Sequence, residues 1–248
     1  MSTSSRVKHR DRLFSRHERA VQDFDFGVKT AQVFDDMLNR SVPFYQEIQR
    51  MLLELTLAYA QNGTAVYDLG CSTGNTLIAL DAALPPTVRL VGVDNSAEML
   101  HKAREKFSHY RMKRRIKLVC ADFNRKVDVP GGSVVIMNLS LQFVRPIHRH
   151  RVVAKIAREL RGGGCLLLVE KVLGKTSPLN RLFINKYHTF KERSGYSQLE
   201  IAQKREALEN VLIPYRLEED KELLRSEGFE QVDVFFKWYN FCGIVAVK

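Results

Sequence analysis

The sequence is poor in cysteine and lacks the common metal-binding patterns, and these absences exclude several classes of protein. Its four cysteines, at positions 71, 120, 165 and 242, form no C-x-x-C pair of the kind found in zinc ribbons and dithiol oxidoreductases. H-E-x-x-H and D-x-D-x-D-G patterns are absent as well, so we expect no metal cofactor. Scattered single cysteines are typical of free thiols in a reducing cytoplasm, which is the location we expect.

Long apolar runs are also missing. No stretch of 18 apolar residues occurs, so the sequence predicts no membrane-spanning helix. Residues 1–22 are polar and basic and lack the apolar segment of a secretory signal. We therefore expect a flexible basic arm over residues 1–22 and no membrane association.

Acidic residues are outnumbered. The chain carries 39 Lys and Arg residues against 28 Asp and Glu residues, a formal net charge of +11. A basic surface attracts polyanions such as RNA, but no RNA-binding motif or interleaved aromatic residues accompany the charge. A solvated exterior is the simpler interpretation. We expect no direct RNA binding, although the charge leaves it open.

The most informative segment reads V-Y-D-L-G-C-S-T-G over residues 66–74. An apolar run is followed by a turn of small residues, and a helix is predicted to begin near Asn75. Small residues let a ligand lie against bare backbone at a helix N-terminus. The dinucleotide fingerprint G-x-G-x-x-G is not met, because its third glycine is missing. Gly70 and Gly74, with Ser72 between them, resemble the G-x-G-x-G loop of S-adenosylmethionine (SAM) enzymes, so SAM is the predicted ligand.

Predicted strands and helices alternate after this point. Strands are predicted at 65–70, 88–93, 116–120, 133–138 and 164–170, and helices at about 75–84, 96–108 and 146–160. This rhythm indicates a parallel sheet with right-handed crossovers. Two further β-rich runs, 231–238 and 241–247, form an antiparallel hairpin. The predicted fold class is α/β, with the seven-stranded, Rossmann-like SAM-methyltransferase sheet, mostly parallel.

Helical segments precede and interrupt this pattern. Apolar spacing predicts N-terminal helices on either side of residues 41–43. A helical insert is predicted over about 176–215, where a capping box formed by Ser197 and Glu200 restarts the helix. We expect one SAM-binding α/β domain over residues 23–248. The amphipathic insert suits a homodimer interface.

Polar residues follow the predicted strands, and ligands of open α/β sheets bind beyond the carboxyl ends of the strands. Asp94, after the second strand, is positioned to accept hydrogen bonds from both ribose hydroxyls. Asp122, after the third, is positioned to accept from the adenine amino group, with Phe123 beside it. A buried unpaired amide is costly, so Asn138 is predicted to bind the amino-acid part of SAM. Each acid could instead be a solvated loop carboxylate.

Three further segments resemble the carboxy-S-adenosyl-L-methionine (carboxy-SAM) synthase family, within the class I SAM-methyltransferase-like superfamily. They read F-D-D-M at 34–37 with R-S-V-P-F-Y at 40–45, Y-H-T-F-K at 187–191 with S-G-Y-S at 194–197, and L-E-I-A-Q-K-R at 199–205 with L-E-N-V-L at 208–212. The similarity covers nearly the whole chain from about Asp11 onward.

The resemblance implies a transferase with SAM and prephenate as substrates. Prephenate loses carbon dioxide and becomes phenylpyruvate, and the carboxyl group is captured on the methyl carbon of SAM. The product then serves a separate enzyme that carboxymethylates a wobble uridine derivative in tRNA. The positions that match the family's nucleotide site are Tyr45, Gly70, Cys71, Ser72, Asp94, Asn95, Asp122, Phe123, Asn138 and Arg205.

Arg205 and Tyr45 are the candidate catalytic residues. Carboxy-SAM carries an extra negative charge, and burying that charge without a partner would be prohibitive. Arginine offers a permanent charge and a planar fork matched to a carboxylate. From the residues alone, an ion pair between Arg205 and Glu209 is the simpler interpretation. Candidates for orienting prephenate are Tyr45, His188, Tyr196 and Lys204, and we assign no catalytic base.

One residue and one short segment depart from the family pattern. Phe123 stands where a small aliphatic residue is more usual, and N-F-C-G at 240–243 differs from the usual small-residue run. With the basic surface, these differences keep two alternatives open. The first is a conventional SAM-dependent methyltransferase acting on a small molecule or RNA, although its N-P-P-Y motif is absent. The second is a non-enzymatic SAM-binding subunit.

Overall fold

The computed structural model describes residues 10–248, which fold around one seven-stranded sheet with the strand order β3-β2-β1-β4-β5-β7-β6. The strands are β1 (Ala65–Leu69), β2 (Arg89–Asp94), β3 (Lys117–Cys120), β4 (Gly132–Asn138), β5 (Cys165–Lys171), β6 (Gln231–Trp238) and β7 (Phe241–Val247). Strands β1 to β5 are parallel, and β7 runs antiparallel between β5 and β6. The predicted fold class is confirmed, and each strand lies within one residue of its predicted bounds.

Eight α-helices surround the sheet in the described part of the chain. They are α1 (Val28–Ser41), α2 (Tyr45–Tyr59), α3 (Asn75–Ala83), α4 (Ala97–Tyr110), α5 (Pro146–Glu159), α6 (Ser177–Arg193), α7 (Gln198–Leu208) and α8 (Leu217–Ser226). The capping box that begins α7 is present: the Ser197 hydroxyl accepts from the Glu200 amide at 3.2 Å, and the Glu200 carboxylate accepts from the Ser197 amide at 2.8 Å. Helix α8 was not predicted, because it is short and highly charged and buries few apolar side chains, Leu223 and Leu224 among them.

Apolar side chains cover both faces of the sheet, as a parallel sheet requires. Along β4, Val134 and Ile136 pack with the side chains of α2 and α3, whereas Val135 and Met137 pack with those of α5 and α8. The helices therefore hold the sheet from both sides and leave its carboxyl edge open. The strand order reverses between β1 and β4, and this reversal creates a crevice at that edge.

The predicted basic arm is only partly covered by the structure, since residues 1–9 lie outside the described residues. From residue 10 the described chain packs against α7. The side-chain amide nitrogen of Gln203 donates to the carbonyls of Phe14 and Arg16 at 2.9 and 2.8 Å. Its side-chain oxygen accepts from the backbone N–H of Glu18 at 2.7 Å. Asp11 is only 1% exposed. Polar pairing of this kind has no apolar periodicity, so composition alone did not reveal it.

Within residues 10–248, no helix has the length and apolar character needed to cross a membrane. The same residues contain no group of His, Cys, Asp or Glu side chains arranged to hold a metal ion. All four cysteines are free thiols; Cys71, Cys165 and Cys242 are buried, and Cys120 is exposed.

Candidate functional site

A cavity of about 370 Å³ lies at the carboxyl ends of β1 to β5, around the point where the strand order reverses. The structure brings all ten sequence-predicted residues to its wall. They are Tyr45, Gly70, Cys71, Ser72, Asp94, Asn95, Asp122, Phe123, Asn138 and Arg205. The size suits one small-molecule ligand, since such pockets span roughly 300–1,000 Å³.

The glycine loop, residues 70–74, packs closely against the neighbouring strands. The backbone amides of Gly70 and Cys71 both donate to the Val93 carbonyl, at 2.7 and 3.1 Å. Gly70 has a φ of 84°, and a β-carbon there would lie 2.5 Å from that of Ser140. Only glycine meets both conditions. Helix α3 begins directly after Gly74, so the loop presents backbone to the cavity at a helix N-terminus.

Asp94 orders the loop from the end of β2. One of its carboxylate oxygens accepts from the Ser72 amide and the other from the Ser96 amide, each at 2.9 Å. Ser96, not Asp94, caps α4, because its hydroxyl accepts from the Met99 amide at 3.0 Å. Burial raises the pKa of Asp94, although the backbone donors act against that shift. A carboxylate has about four acceptor positions, so capacity remains for two ligand hydroxyls.

Asp68, at the end of β1, lines the cavity and was not among the predicted site residues. It is 2% exposed, and its carboxylate makes no hydrogen bond to any of residues 10–248. Burial, and then the charge of Asp94, raises the pKa of Asp68 to about 7. A buried carboxylate without a partner favours a cation, and SAM carries a sulfonium and an amino group. The acidic residue that begins D-L-G at 68–70 was the sequence signal that could have identified it.

Asn138 is the last residue of β4, and its side-chain oxygen is an acceptor without a donor. Its side-chain oxygen is buried, and none of the described residues donates to it. An orphaned buried acceptor is costly unless a ligand supplies the hydrogen bond. The orphaned Asn138 oxygen, the free Asp68 carboxylate and the Gly70 cradle therefore fit a cationic ligand with hydrogen-bond donors, as SAM is.

One end of the cavity is formed by residues that follow β3. One Asp122 oxygen accepts from the amide and the side chain of Asn124, at 2.8 and 3.0 Å, which makes a compact local turn. Phe123 packs against the core and lines the cavity beside it. Asn95 is exposed at the rim. The local turn leaves the second Asp122 oxygen with only a distant contact, 3.9 Å from Arg125.

Two helices near the N-terminus close the cavity over the glycine loop. Tyr45, the first residue of α2, is buried, and its hydroxyl accepts from the side-chain amide of Gln49 at 3.0 Å. Burial raises the pKa of Tyr45, so it stays a neutral phenol. Asp35 of α1 accepts from the Thr73 hydroxyl and pairs with Lys106 of α4, both at 2.7 Å. Burial opposes the charged form, yet Lys106 holds the pKa of Asp35 below its ordinary value.

The opposite end of the cavity is basic. Its lining there includes Lys171, His188, Lys191, Lys204 and Arg205. Arg205 is exposed, and among residues 10–248 it takes part in no ion pair, so the simpler pairing with Glu209 does not form. The cavity therefore has an acidic end at the glycine loop and a basic end beside α6 and α7.

Lys204 and Tyr196 have structural partners. Lys204 lies 3.5 Å from an Asp11 oxygen and 3.2 Å from the Ser41 hydroxyl. The Tyr196 hydroxyl donates to the same Asp11 oxygen at 2.6 Å. Tyr196 does not line the cavity in the described part of the chain, unlike the other three residues considered for orienting prephenate. The Arg40 guanidinium lies over the Tyr196 ring, 3.9 Å from the ring centroid.

Comparison with known proteins identifies the family. A family model described as a methyltransferase domain matches residues 66–164. A carboxy-S-adenosyl-L-methionine synthase from Methylococcus capsulatus is 55% identical over 96% of this chain and 99% of its own. One of the same name from Desulfotalea psychrophila is 44% identical over 92% of this chain and 93% of its own. The chain belongs to the carboxy-SAM synthase family.

Solved structures support the fold of this carboxy-SAM synthase family member independently. A putative SAM-dependent methyltransferase from Methanococcus maripaludis superimposes with a TM-score of 0.61 at 17% identity, covering 93% of this chain and 97% of its own. Human N-acetylserotonin methyltransferase, solved with SAM, gives a TM-score of 0.59 at 18% identity over 89% of this chain and 55% of its own. At such identities the likeness concerns the fold alone.

Lys171 and Lys191 are cavity residues of this carboxy-SAM synthase family member that sequence reasoning missed. Lys171 is the last residue of β5, and Lys191 lies near the end of α6. They lie on separate elements. Lys191 ends the Y-H-T-F-K segment at 187–191, which did not mark it as a cavity residue, and Lys171 belongs to no motif. The one available signal was that Lys171 stands at the carboxyl end of a strand that is apolar up to Val169.

Proposed function

We propose that this chain binds SAM in the cavity, with its adenosine toward Asp94 and Asp122 and its amino-acid part toward Asp68 and Asn138. The two hydroxyls of the ribose match the remaining acceptor capacity of Asp94. The amino group of SAM supplies the donor that the buried Asn138 oxygen lacks. The basic end of the cavity is then left for a second, anionic substrate.

We further propose that the chain is a carboxy-SAM synthase that uses prephenate as the carboxyl donor. The observation that carries this proposal is the guanidinium of Arg205, which lines the cavity and has no ion-pair partner among residues 10–248. Ordinary SAM has no carboxyl group on its methyl carbon and gives such a cation nothing to bind there. Carboxy-SAM does, and the guanidinium fork is matched to it.

The chemistry balances without a side-chain base. Prephenate, a dianion, releases carbon dioxide and hydroxide and becomes phenylpyruvate. The hydroxide removes one proton from the SAM methyl group as water, and that carbon forms a bond to carbon dioxide. The role left for the protein is to align the two substrates and to exclude bulk water, so that carbon dioxide is captured before it escapes.

Mass spectrometry of the nucleoside tests this function. Incubation with SAM and prephenate should yield a SAM derivative in which a carboxyl group replaces one methyl hydrogen, together with phenylpyruvate. SAM without prephenate is the control and should remain unchanged. A methylated acceptor would instead indicate the conventional methyltransferase, which the basic surface favours, and no conversion would indicate a SAM-binding subunit.

We also propose that the protein works as a homodimer in the cytoplasm and that its product serves the enzyme that modifies the wobble uridine of tRNA. Leu179, Leu182 and Leu199 are 43%, 45% and 37% exposed on the helical insert, which supports a partner surface there. Free thiols support a reducing compartment. Light scattering during size-exclusion chromatography tests the dimer, and replacement of Leu179 and Leu182 by Ser should weaken it.

A further inference from the structure

Three lysines from three separate elements converge on the basic end of the cavity. Lys171 ends β5, Lys191 belongs to α6 and Lys204 belongs to α7, and all three line the same cavity. Lys191 and Lys204 are 5% and 7% exposed, and Lys171 is partly buried. Lysine is rarely buried to this extent unless it is paired.

The three lysines differ in their partners. Lys204 has the Asp11 carboxylate and the Ser41 hydroxyl, at 3.5 and 3.2 Å. Lys171 and Lys191 have no hydrogen bond or ion pair from their ammonium groups to any of residues 10–248. Both ammonium groups instead face the ring of Tyr187, at 5.1 and 4.7 Å from its centroid.

The Tyr187 ring that contacts both cations is held in place by its own neighbours. Its hydroxyl donates to the Ser41 carbonyl at 2.9 Å, and its ring packs edge-on against Phe241 at 5.2 Å between centroids. Cation–π contacts to a tyrosine contribute less than it costs to desolvate an ammonium group. The positive charges of Lys171 and Lys191 are therefore only partly compensated by the described residues.

The charged form of each lysine is correspondingly disfavoured. Burial lowers the pKa of Lys171 to about 8. Burial, and then the charges of Lys204, Lys171 and Arg205, lowers the pKa of Lys191 to about 7. His188 faces the same group, and burial, followed by the charges of Lys191 and Arg205, lowers its pKa too. An anion between these groups would relieve both the desolvation and the mutual repulsion.

We propose that Lys171 and Lys191, held against Tyr187, form the binding site for a carboxylate of the dianionic second substrate. The proposal rests on the proposed function and assigns a different task to each cation. The lysine pair holds the carboxyl donor, whereas Arg205 at the cavity mouth binds the carboxyl group after its transfer. The acidic end of the cavity repels the same dianion, so the charge distribution orients it.

A dead-end complex separates binding from turnover. S-adenosylhomocysteine lacks the methyl group, so prephenate can be titrated into the saturated complex by calorimetry without reaction. Lys171→Gln and Lys191→Gln should each weaken prephenate binding roughly 10- to 100-fold, the loss expected for a charged hydrogen bond. Binding of S-adenosylhomocysteine alone should stay within about twofold of wild type, because the substitutions lie at the opposite end of the cavity.

Lys186→Gln is the matched control, because Lys186 lies on the same helix as Lys191 but is exposed and outside the cavity. It should bind prephenate as wild type does. Phenylpyruvate, a monoanion, should bind the wild-type complex more weakly than prephenate and lose less affinity in Lys191→Gln. Proton uptake, measured in buffers of different ionisation enthalpy, should accompany prephenate binding near pH 8 in wild type and diminish in Lys191→Gln.

A structural role for the lysines predicts a different pattern. If their contact with Tyr187 mainly stabilised the fold, Lys191→Met would lower the unfolding midpoint. We expect it to be kept or raised, because an incompletely compensated buried cation is removed. Unchanged prephenate affinity in both Gln variants would overturn the proposal, even if wild type produces carboxy-SAM. Tight, lysine-dependent prephenate binding without any carboxy-SAM would instead overturn the proposed function and leave the binding site standing.

Discussion

The Tyr196 hydroxyl donates a 2.6 Å hydrogen bond to the Asp11 carboxylate, and the two residues are 6% and 1% exposed. The same carboxylate lies 3.5 Å from the ammonium group of Lys204, on the wall of the cavity. A residue near the start of the described chain is therefore the counter-ion of a cavity residue on α7. This contact joins the N-terminal segment to the site.

Replacing Asp11 by Asn should destabilise the protein. The substitution removes the charge that faces Lys204 and leaves a buried ammonium group less well paired. Burial already lowers the pKa of Lys204 to about 8, although Asp11 acts to raise it. We expect a loss of about 1–3 kcal/mol in the free energy of unfolding, measured by urea denaturation. Asp23→Asn is the control, because Asp23 is exposed, and an equal effect of both variants would contradict the buried pairing.

Gly63, in the turn before β1, and Gly70, in the glycine loop, both have a positive φ and can be compared. Gly63 has a φ of 76° and open space where a β-carbon would stand, whereas Gly70 has a φ of 84° and a β-carbon would meet Ser140. Gly63→Ala should cost about 1–2 kcal/mol from backbone strain alone. Gly70→Ala should cost roughly 1–3 kcal/mol more from the clash and should also weaken SAM binding. Equal losses in thermal stability and unchanged SAM affinity in both variants would show that the loop does not need this close approach.

Local patterns account for the parts of the molecule that were predicted correctly. The β-α-β rhythm and the small-residue turn before Asn75 are encoded within short windows, and the strand-end rule then located Asp94, Asp122 and Asn138 on one cavity. Arg205 came from the family resemblance. Its absence from any ion pair in the described residues was visible only in three dimensions.

The missed features depend on contacts between distant segments. Lys171 and Lys191 are brought to one tyrosine ring by the packing of α6 against the end of β5, which no periodicity records. The N-terminal segment packs through the Gln203 amide, a polar contact without a sequence motif. Helix α8 lacks a Ser, Thr, Asp or Asn at its N-cap, where Arg216 stands instead.

SAM binding should strengthen as the pH rises through neutrality. The pKa of Asp68 is raised to about 7, first by burial and then by Asp94, so the carboxyl is largely protonated at pH 6. A bound cation favours the carboxylate. We therefore expect affinity for SAM to rise roughly five- to tenfold between pH 6 and pH 7.5. Isothermal titration calorimetry at several pH values measures this dependence.

Asp68→Asn supplies the control for that pH dependence. It should bind SAM more weakly than wild type at pH 7.5 and should show a flatter dependence on pH. The sign for folding is opposite, since an acid with a raised pKa in the folded state loses stability as pH rises through that value. The ligand-free variant should therefore equal or exceed the stability of wild type at pH 8. A steep pH dependence that persists in Asp68→Asn would assign the titration to another group.

Arg205 should distinguish carboxy-SAM from SAM. Arg205→Gln removes the cation at the cavity mouth, and we expect carboxy-SAM binding to weaken by about 2–5 kcal/mol, toward the lower value because the side chain is exposed. SAM has no group for this cation, so its affinity should change by less than about 0.5 kcal/mol. Arg205→Lys should bind carboxy-SAM more weakly than wild type and more tightly than Arg205→Gln, since an ammonium group keeps the charge but lacks the planar fork. Competition against a fluorescent SAM analogue measures all three affinities.

The control for Arg205 is Arg193→Gln, which removes an exposed arginine from the end of α6, outside the cavity. It should leave the affinities for SAM and carboxy-SAM unchanged. Because Arg205 makes no ion pair with residues 10–248, Arg205→Gln should also keep the unfolding temperature of wild type. Any loss of carboxy-SAM binding is then a loss of ligand contact rather than of structure. Equal weakening of SAM and carboxy-SAM would mean that Arg205 does not recognise the transferred carboxyl group, and the proposed division of tasks among the cavity cations would be wrong.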